Sequence, residues 1–149
     1  MTDEQQQHDI EPPKETVNVT TIERPKIDFY LQSLVNMAND HGTEIGITLV
    51  LGGTVLTGTL ISGPTYFKAF SEAFAAAWPG DAQAKEDIRE SLALPSTMYG
   101  QGKTEAVGAS FIHLKGATVR TPNGYLPESG MLWRGRLTEV SGFMLGSIS

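Results

Sequence analysis

From Ile27 to His41 the apolar residues Ile27, Tyr30, Leu31, Leu34, Val35 and Ala38 recur three and four positions apart, the spacing that aligns side chains along one side of a helix. Pro25 stands near the start, where a missing N–H is harmless, and Gly42 follows the end, where a left-handed cap is wanted, so a helix is predicted over 27–41. The period then changes to two. Ile45, Ile47, Leu49 and Leu51 alternate, Gly52-Gly53 tolerates positive φ, and Leu56, Gly58 and Leu60 resume the alternation. This predicts a hairpin with Leu51 opposite Thr54, Leu49 opposite Leu56, Ile47 opposite Gly58 and Ile45 opposite Leu60. The stretch between Glu44 and Lys68 carries no charge and is long enough for a membrane span of about 20 residues. Strict alternation, threonines and central glycines favour the hairpin instead.

After Gly63-Pro64 the period is helical again, with Phe67, Phe70, Phe74 and Ala77 along one stripe until Trp78-Pro79-Gly80. A more polar third helix follows over 81–94, with Ala84, Ile88 and Leu92 as a thin apolar seam that Pro95 stops. Gly100, Gly102 and Gly108 then mark a mobile surface loop. Phe111 to Val119 reads as a strand with Gly116 as its bulge, and Pro122 to Gly130 reads as a turn. A last hairpin is expected from Met131 to Ile148 around Ser141-Gly142, with Val140 opposite Phe143. Its other face sets Arg134 and Arg136 among Leu132, Val140, Phe143 and Leu145, too apolar for an open surface, so a further element or partner should cover part of it.

Five strands with glycines at their bends predict an α+β fold: a small antiparallel Sm-like or SH3-like barrel with an N-terminal helix and a helical insertion between strands two and three. The competing arrangement is an open antiparallel sheet with helices on one face. Residues 1–24 contain a Gln run, paired prolines and an acidic excess, and are expected to be a disordered tail. Asp3 and Glu4 stand where a secretory signal wants basic residues, so export is disfavoured and a cytoplasmic location is expected. Residues 25–149 are expected to form one domain, with the helical insertion at 64–94 and the mobile loop at 95–109.

Composition narrows the chemistry. The chain has 149 residues, 40% hydrophobic and 19% charged, which suits a single globular core. A net charge of −6 opposes nucleic acid and anionic membranes as partners, because both are held by surplus Lys and Arg. The absence of cysteine removes disulfides, thiolate metal sites and thiol nucleophiles. Gly100-Gln101-Gly102-Lys103-Thr104 suggests a phosphate loop, yet Thr97 occupies the position of its first glycine and no apolar strand precedes it. His8, His41 and His113 have no metal-ligand spacing, there is no serine-hydrolase elbow, and Glu86, Asp87 and Glu90 fit a solvated helix face. No catalytic set, cofactor or metal site is expected.

His113, Lys115, Arg134 and Arg136 remain, four side chains able to carry positive charge on strands expected to be neighbours. Their plain reading is a solvated strand surface paired with acids such as Glu139; the functional reading is a partner site. Phe67, Phe70 and Phe74 would add burial area to such a site, although helical spacing of this kind usually marks core.

Three stretches resemble the bacterial gas vesicle accessory protein U family: Phe111-Ile112-His113-Leu114-Lys115, the hairpin residues Gly58-Thr59-Leu60-Ile61-Ser62 with Tyr66-Phe67, and the segment from Leu132-Trp133-Arg134-Gly135 to Gly142-Phe143-Met144-Leu145-Gly146. The similarity runs from about Phe29 to the end, and the chain differs in its longer acidic, Gln-containing start. The resemblance implies an accessory protein rather than a shell subunit, with some relatives linked to vesicle clustering, and carries over no catalytic residue. Its implied partners are gas vesicle proteins or a second copy of the chain. The contrasting expectation, from the barrel order, is an oligomeric Sm-like module for RNA or another ligand.

Overall fold

In the computed structural model, described for residues 23–24, 27–99 and 109–148, a short ribbon, β1 (Glu23–Arg24) with β2 (Ile27–Asp28), leads into α1 (Phe29–His41). The helix begins two residues later than its apolar period because the Asp28 carboxylate accepts from the N–H groups of Tyr30 and Leu31 at 2.8 and 3.4 Å. It ends at Gly42, whose φ of 68° lets its N–H reach the Ala38 carbonyl.

β3 (Ile45–Leu51) and β4 (Thr54–Ile61) form the expected hairpin in the expected register. Gly58 serves the next strand as well: a Cβ there would lie 3.0 Å from the Lys115 carbonyl oxygen. α2 (Gly63–Ala77) and α3 (Ala82–Ala93) follow, capped by Ser62 and Asp81, and a 3-10 turn at Leu94–Met98 occupies the start of what was expected to be loop. β5 (Phe111–Thr121) then pairs with β4 and with β6 (Gly124–Arg136), its register shifting at Gly116.

Two expectations fail here. Residues 124–130 are strand rather than turn, because Thr121 pairs with Gly124 and the reversal needs only Pro122 and Asn123. The last hairpin does not form either. Leu137 buries itself in the core and its N–H donates to the Ser110 carbonyl at 2.9 Å, which turns the chain through a 3-10 segment, Leu137–Glu139. Ser141 then bonds the Val50 carbonyl through both its N–H and its hydroxyl, so β7 (Gly142–Leu145) pairs with β3, placing Phe143 opposite Leu49.

The described residues form an α+β fold with a five-stranded antiparallel sheet of order β6-β5-β4-β3-β7 and three α-helices. β6 and β7 do not pair, so the expected closed barrel is replaced by an open sheet. The Sm-like reading rested on that closure, and nothing else in the fold supports it.

On one face, Leu31, Val35 and Ala38 of α1 pack against Ile47, Leu49, Leu60, Ile112 and Leu114. The opposite face carries Thr48, Thr57, Ile61 and His113, all buried. Residues after β7 cross over part of it: the Thr48 hydroxyl donates to the Gly146 carbonyl and the Ile148 N–H donates to the Thr57 hydroxyl, each at 2.8 Å. The first turn of α2 rests on another part, with Tyr66 and Phe67 against His113. Helices thus sit on both faces, unlike the one-sided alternative. No helix among the described residues is long and apolar enough to cross a membrane. Residues 1–22 of the expected tail and 100–108 of the expected loop, including the glycine-lysine motif, lie outside the described residues.

Candidate interaction surface

The antiparallel register sets His113 of β5 directly opposite Arg134 of β6. An Arg134 guanidinium N–H donates to His113 Nε2 at 2.6 Å, so the imidazole must present a lone pair there and be neutral. Burial among aromatic rings, with the Arg134 charge adding to it, pushes the His113 pKa from 6.5 to about 4. The expectation of a solvated, cationic His113 is therefore corrected: only 1% of its surface is exposed.

Tyr66, Phe67 and Tyr99 place their ring centres 4.7, 5.7 and 6.3 Å from the imidazole. Tyr99 comes this close because Gly63 has no Cβ; one built there would overlap the Tyr99 ring. Gly63 is held in turn by its N–H, which donates to Asn39 Oδ1 of α1 at 2.9 Å. Arg134 lies 3.8 Å over the Phe111 ring and 5.3 Å from the centre of Phe67. A guanidinium held by one histidine and two rings, on a residue that is still exposed, is a preorganised anchor for a carboxylate or a backbone carbonyl.

The four expected cationic residues are only partly united. Arg136 is exposed on the same edge strand, across from Phe111. Lys115 is engaged with Glu44, not Glu139, at 2.6 Å. Of the phenylalanines, Phe67 belongs to the His113–Arg134 cluster, whereas Phe70 and Phe74 belong to a ladder. Tyr66–Phe70, Phe70–Phe74 and Phe74–Trp78 stack with centres 5.9, 6.0 and 5.6 Å apart. The ladder starts buried at Tyr66 and runs out to solvent, with Phe70, Phe74 and Trp78 exposed by 38, 40 and 39%. Sequence reasoning missed Tyr66, Trp78, Tyr99 and Phe111. The spacing of four from Tyr66 to Trp78 was a usable signal for two of them; for Tyr99 and Phe111 no local pattern existed.

Among the described residues no group of three or more His, Asp or Glu side chains could hold a metal ion. The surface consists of an aromatic ridge, an anchored arginine and a sheet edge. No curated protein and no solved structure matches the chain. The family model described as gas vesicle protein GvpU-like matches residues 28–148, from the cap of α1 past β7 to Ile148, and the chain therefore belongs to that gas vesicle family.

Proposed function

We propose that this protein is a non-enzymatic gas vesicle accessory protein of the cytoplasm that binds vesicle components or itself and so influences vesicle assembly or clustering. Family membership supports the link to gas vesicles. The observation that carries the contact role is the aromatic ladder: three large rings lie in a row, stacked on one another and open to solvent, on a helix that packs chiefly on its other side. Arg134 touches the same helix through its Phe67 contact and gives a partner a fixed polar anchor, with Arg136 two residues on along β6.

Co-sedimentation with purified gas vesicles tests the reading. The full chain is expected to pellet with vesicles, and Arg134→Ala with Arg136→Ala is expected to reduce the pelleted fraction severalfold. A chain that stays in the supernatant, together with unchanged vesicle distribution in a deletion strain, overturns it.

A further inference from the structure

β6 is an open edge of the sheet: β5 pairs with it on one side, and no strand among the described residues pairs with it on the other. Its outward N–H and C=O groups are a template for one more strand. The end of β6, from Trp133 to Arg136, sorts its side chains by face. Trp133 and Gly135 stand opposite Leu114 and Ile112 on the side that α1 covers, and the Trp133 ring lies over Gly135, where a Cβ would overlap it. Arg134 and Arg136 belong to the other side, and both are exposed. His113 takes one N–H of Arg134, and neither arginine has a carboxylate partner among the described residues, whereas Lys115 and Arg89 hold Glu44 and Glu86. The edge thus offers backbone groups, an apolar plate on one face and two guanidiniums without acids on the other. The opposite edge, β7, has no charged residue.

Residues 1–22, outside the described residues, carry a matching sequence. Their charged side chains are Asp3, Glu4, Asp9, Glu11 and Glu15 against Lys14 alone, and in Asp9-Ile10-Glu11 two acids stand two positions apart. In an extended strand of either direction that spacing turns both carboxylates to one face and Ile10 to the other. We propose that Asp9-Ile10-Glu11 adds to the β6 edge of its own chain, with its carboxylates on Arg134 and Arg136 and Ile10 on the Trp133 ring. Pro12-Pro13, which lack N–H groups, end the pairing. Attachment favours the same chain over another: the segment enters the fold at β1, and β2, the partner of β1, lies against Leu137–Glu139, the turn that directly follows Arg136. Residues 12–22 span up to about 36 Å when extended, ample for the return to that end of β6. A single exposed carboxylate–arginine pair is weak, but tethering at an effective concentration on the order of millimolar populates the two together. The contact rests on the accessory reading and names a regulation of its anchor: a vesicle component that binds Arg134 and Arg136 must first displace the segment.

The chain has no cysteine, so Gln6→Cys in the full chain carries a single nitroxide label whose neighbours are read by NMR without vesicles. Amide signals of residues 132–136 should be selectively lost, while those of β7 at the other edge persist. Asp9→Asn with Glu11→Gln should restore the lost signals, and so should Arg134→Gln with Arg136→Gln. Charge exchange, Asp9→Arg with Glu11→Arg placed on Arg134→Glu with Arg136→Glu, should bring the loss back. Signals that persist at β6, that vanish equally at both edges, or that stay lost after the acids are neutralised overturn the added strand. Loss that appears only in isotope-enriched chains mixed with labelled, unenriched ones overturns the contact within one chain and makes it a bridge between copies. Co-sedimentation with purified vesicles reads the regulation: at limiting vesicle concentration, Asp9→Asn with Glu11→Gln should pellet severalfold more than wild type. Equal pelleting overturns the competition while the labelled contact stands, whereas chains that show the contact but never pellet, neutralised or not, overturn the accessory reading and not the strand.

Discussion

The sheet with α1 and the helical insertion of α2 and α3 are built on opposite principles. In the first, Leu31, Ile47, Leu49, Leu60, Ile112 and Leu114 are almost wholly buried, and their partners come from distant parts of the chain. In the second, no residue of α3 is buried, and the aromatics of α2 contact neighbours four positions away on the same helix. Non-local burial holds the body together, so each core side chain there serves many contacts at once. Beyond the first turn of α2, which covers His113, the insertion keeps apolar surface in water. Stability is concentrated in the sheet and contact capacity in the insertion.

The sharpest way to break this contrast is to remove the same side chain from each region. Leu114→Ala, in the sheet, is expected to cost about 2–5 kcal/mol in denaturant unfolding. Leu92→Ala, on the half-buried seam of α3, should cost about 1 kcal/mol, and equal losses would refute the contrast.

Acid should act at the join between the two regions. His113 is resisted as a cation in the folded state down to about pH 4 and titrates near 6.5 when unfolded. The unfolded chain therefore binds more protons in that window, and stability is lost as pH falls through it while staying flat above. The total is on the order of 3 kcal/mol, and His113→Gln should remove most of this pH dependence. A wild type with an unchanged unfolding midpoint between pH 7 and pH 4.5 would contradict the buried neutral imidazole.

Smaller effects sharpen the boundary. Ser62→Ala removes the hydroxyl that accepts from the Thr65 N–H at 3.1 Å, and should destabilise by about 1 kcal/mol in thermal melts. Lys115→Met separates the exposed Glu44 pair and should change the melting free energy by less than about 1 kcal/mol.

Much of the body was legible from the order of residues alone. The period of three and four over Ile27 to Ala38 and the alternation on either side of Gly52-Gly53 are local signals, and the β3–β4 register follows from them because an error of one residue would turn every leucine outward. Caps at Asp28, Ser62 and Asp81 are likewise local, since each carboxylate or hydroxyl answers an N–H two or three positions on. The aromatic ladder was half legible: Phe70 and Phe74 stood out, but the chosen stripe took in Phe67, which the fold sends to Arg134 instead.

What the sequence could not decide was which strand takes which neighbour. Val140 and Phe143 alternate as well for a local hairpin as for a return to β3, and the choice fell to Leu137, whose burial in the core turns the chain, and to Ser141, which bonds the Val50 carbonyl. The neutral state of His113 has the same origin, because its solvent is removed by Tyr66, Phe67 and Tyr99, residues 47, 46 and 14 positions away in the chain. Periodicity reports what each segment does with its own side chains. Pairing and desolvation depend on which segments exclude water together, and only the folded arrangement decides that.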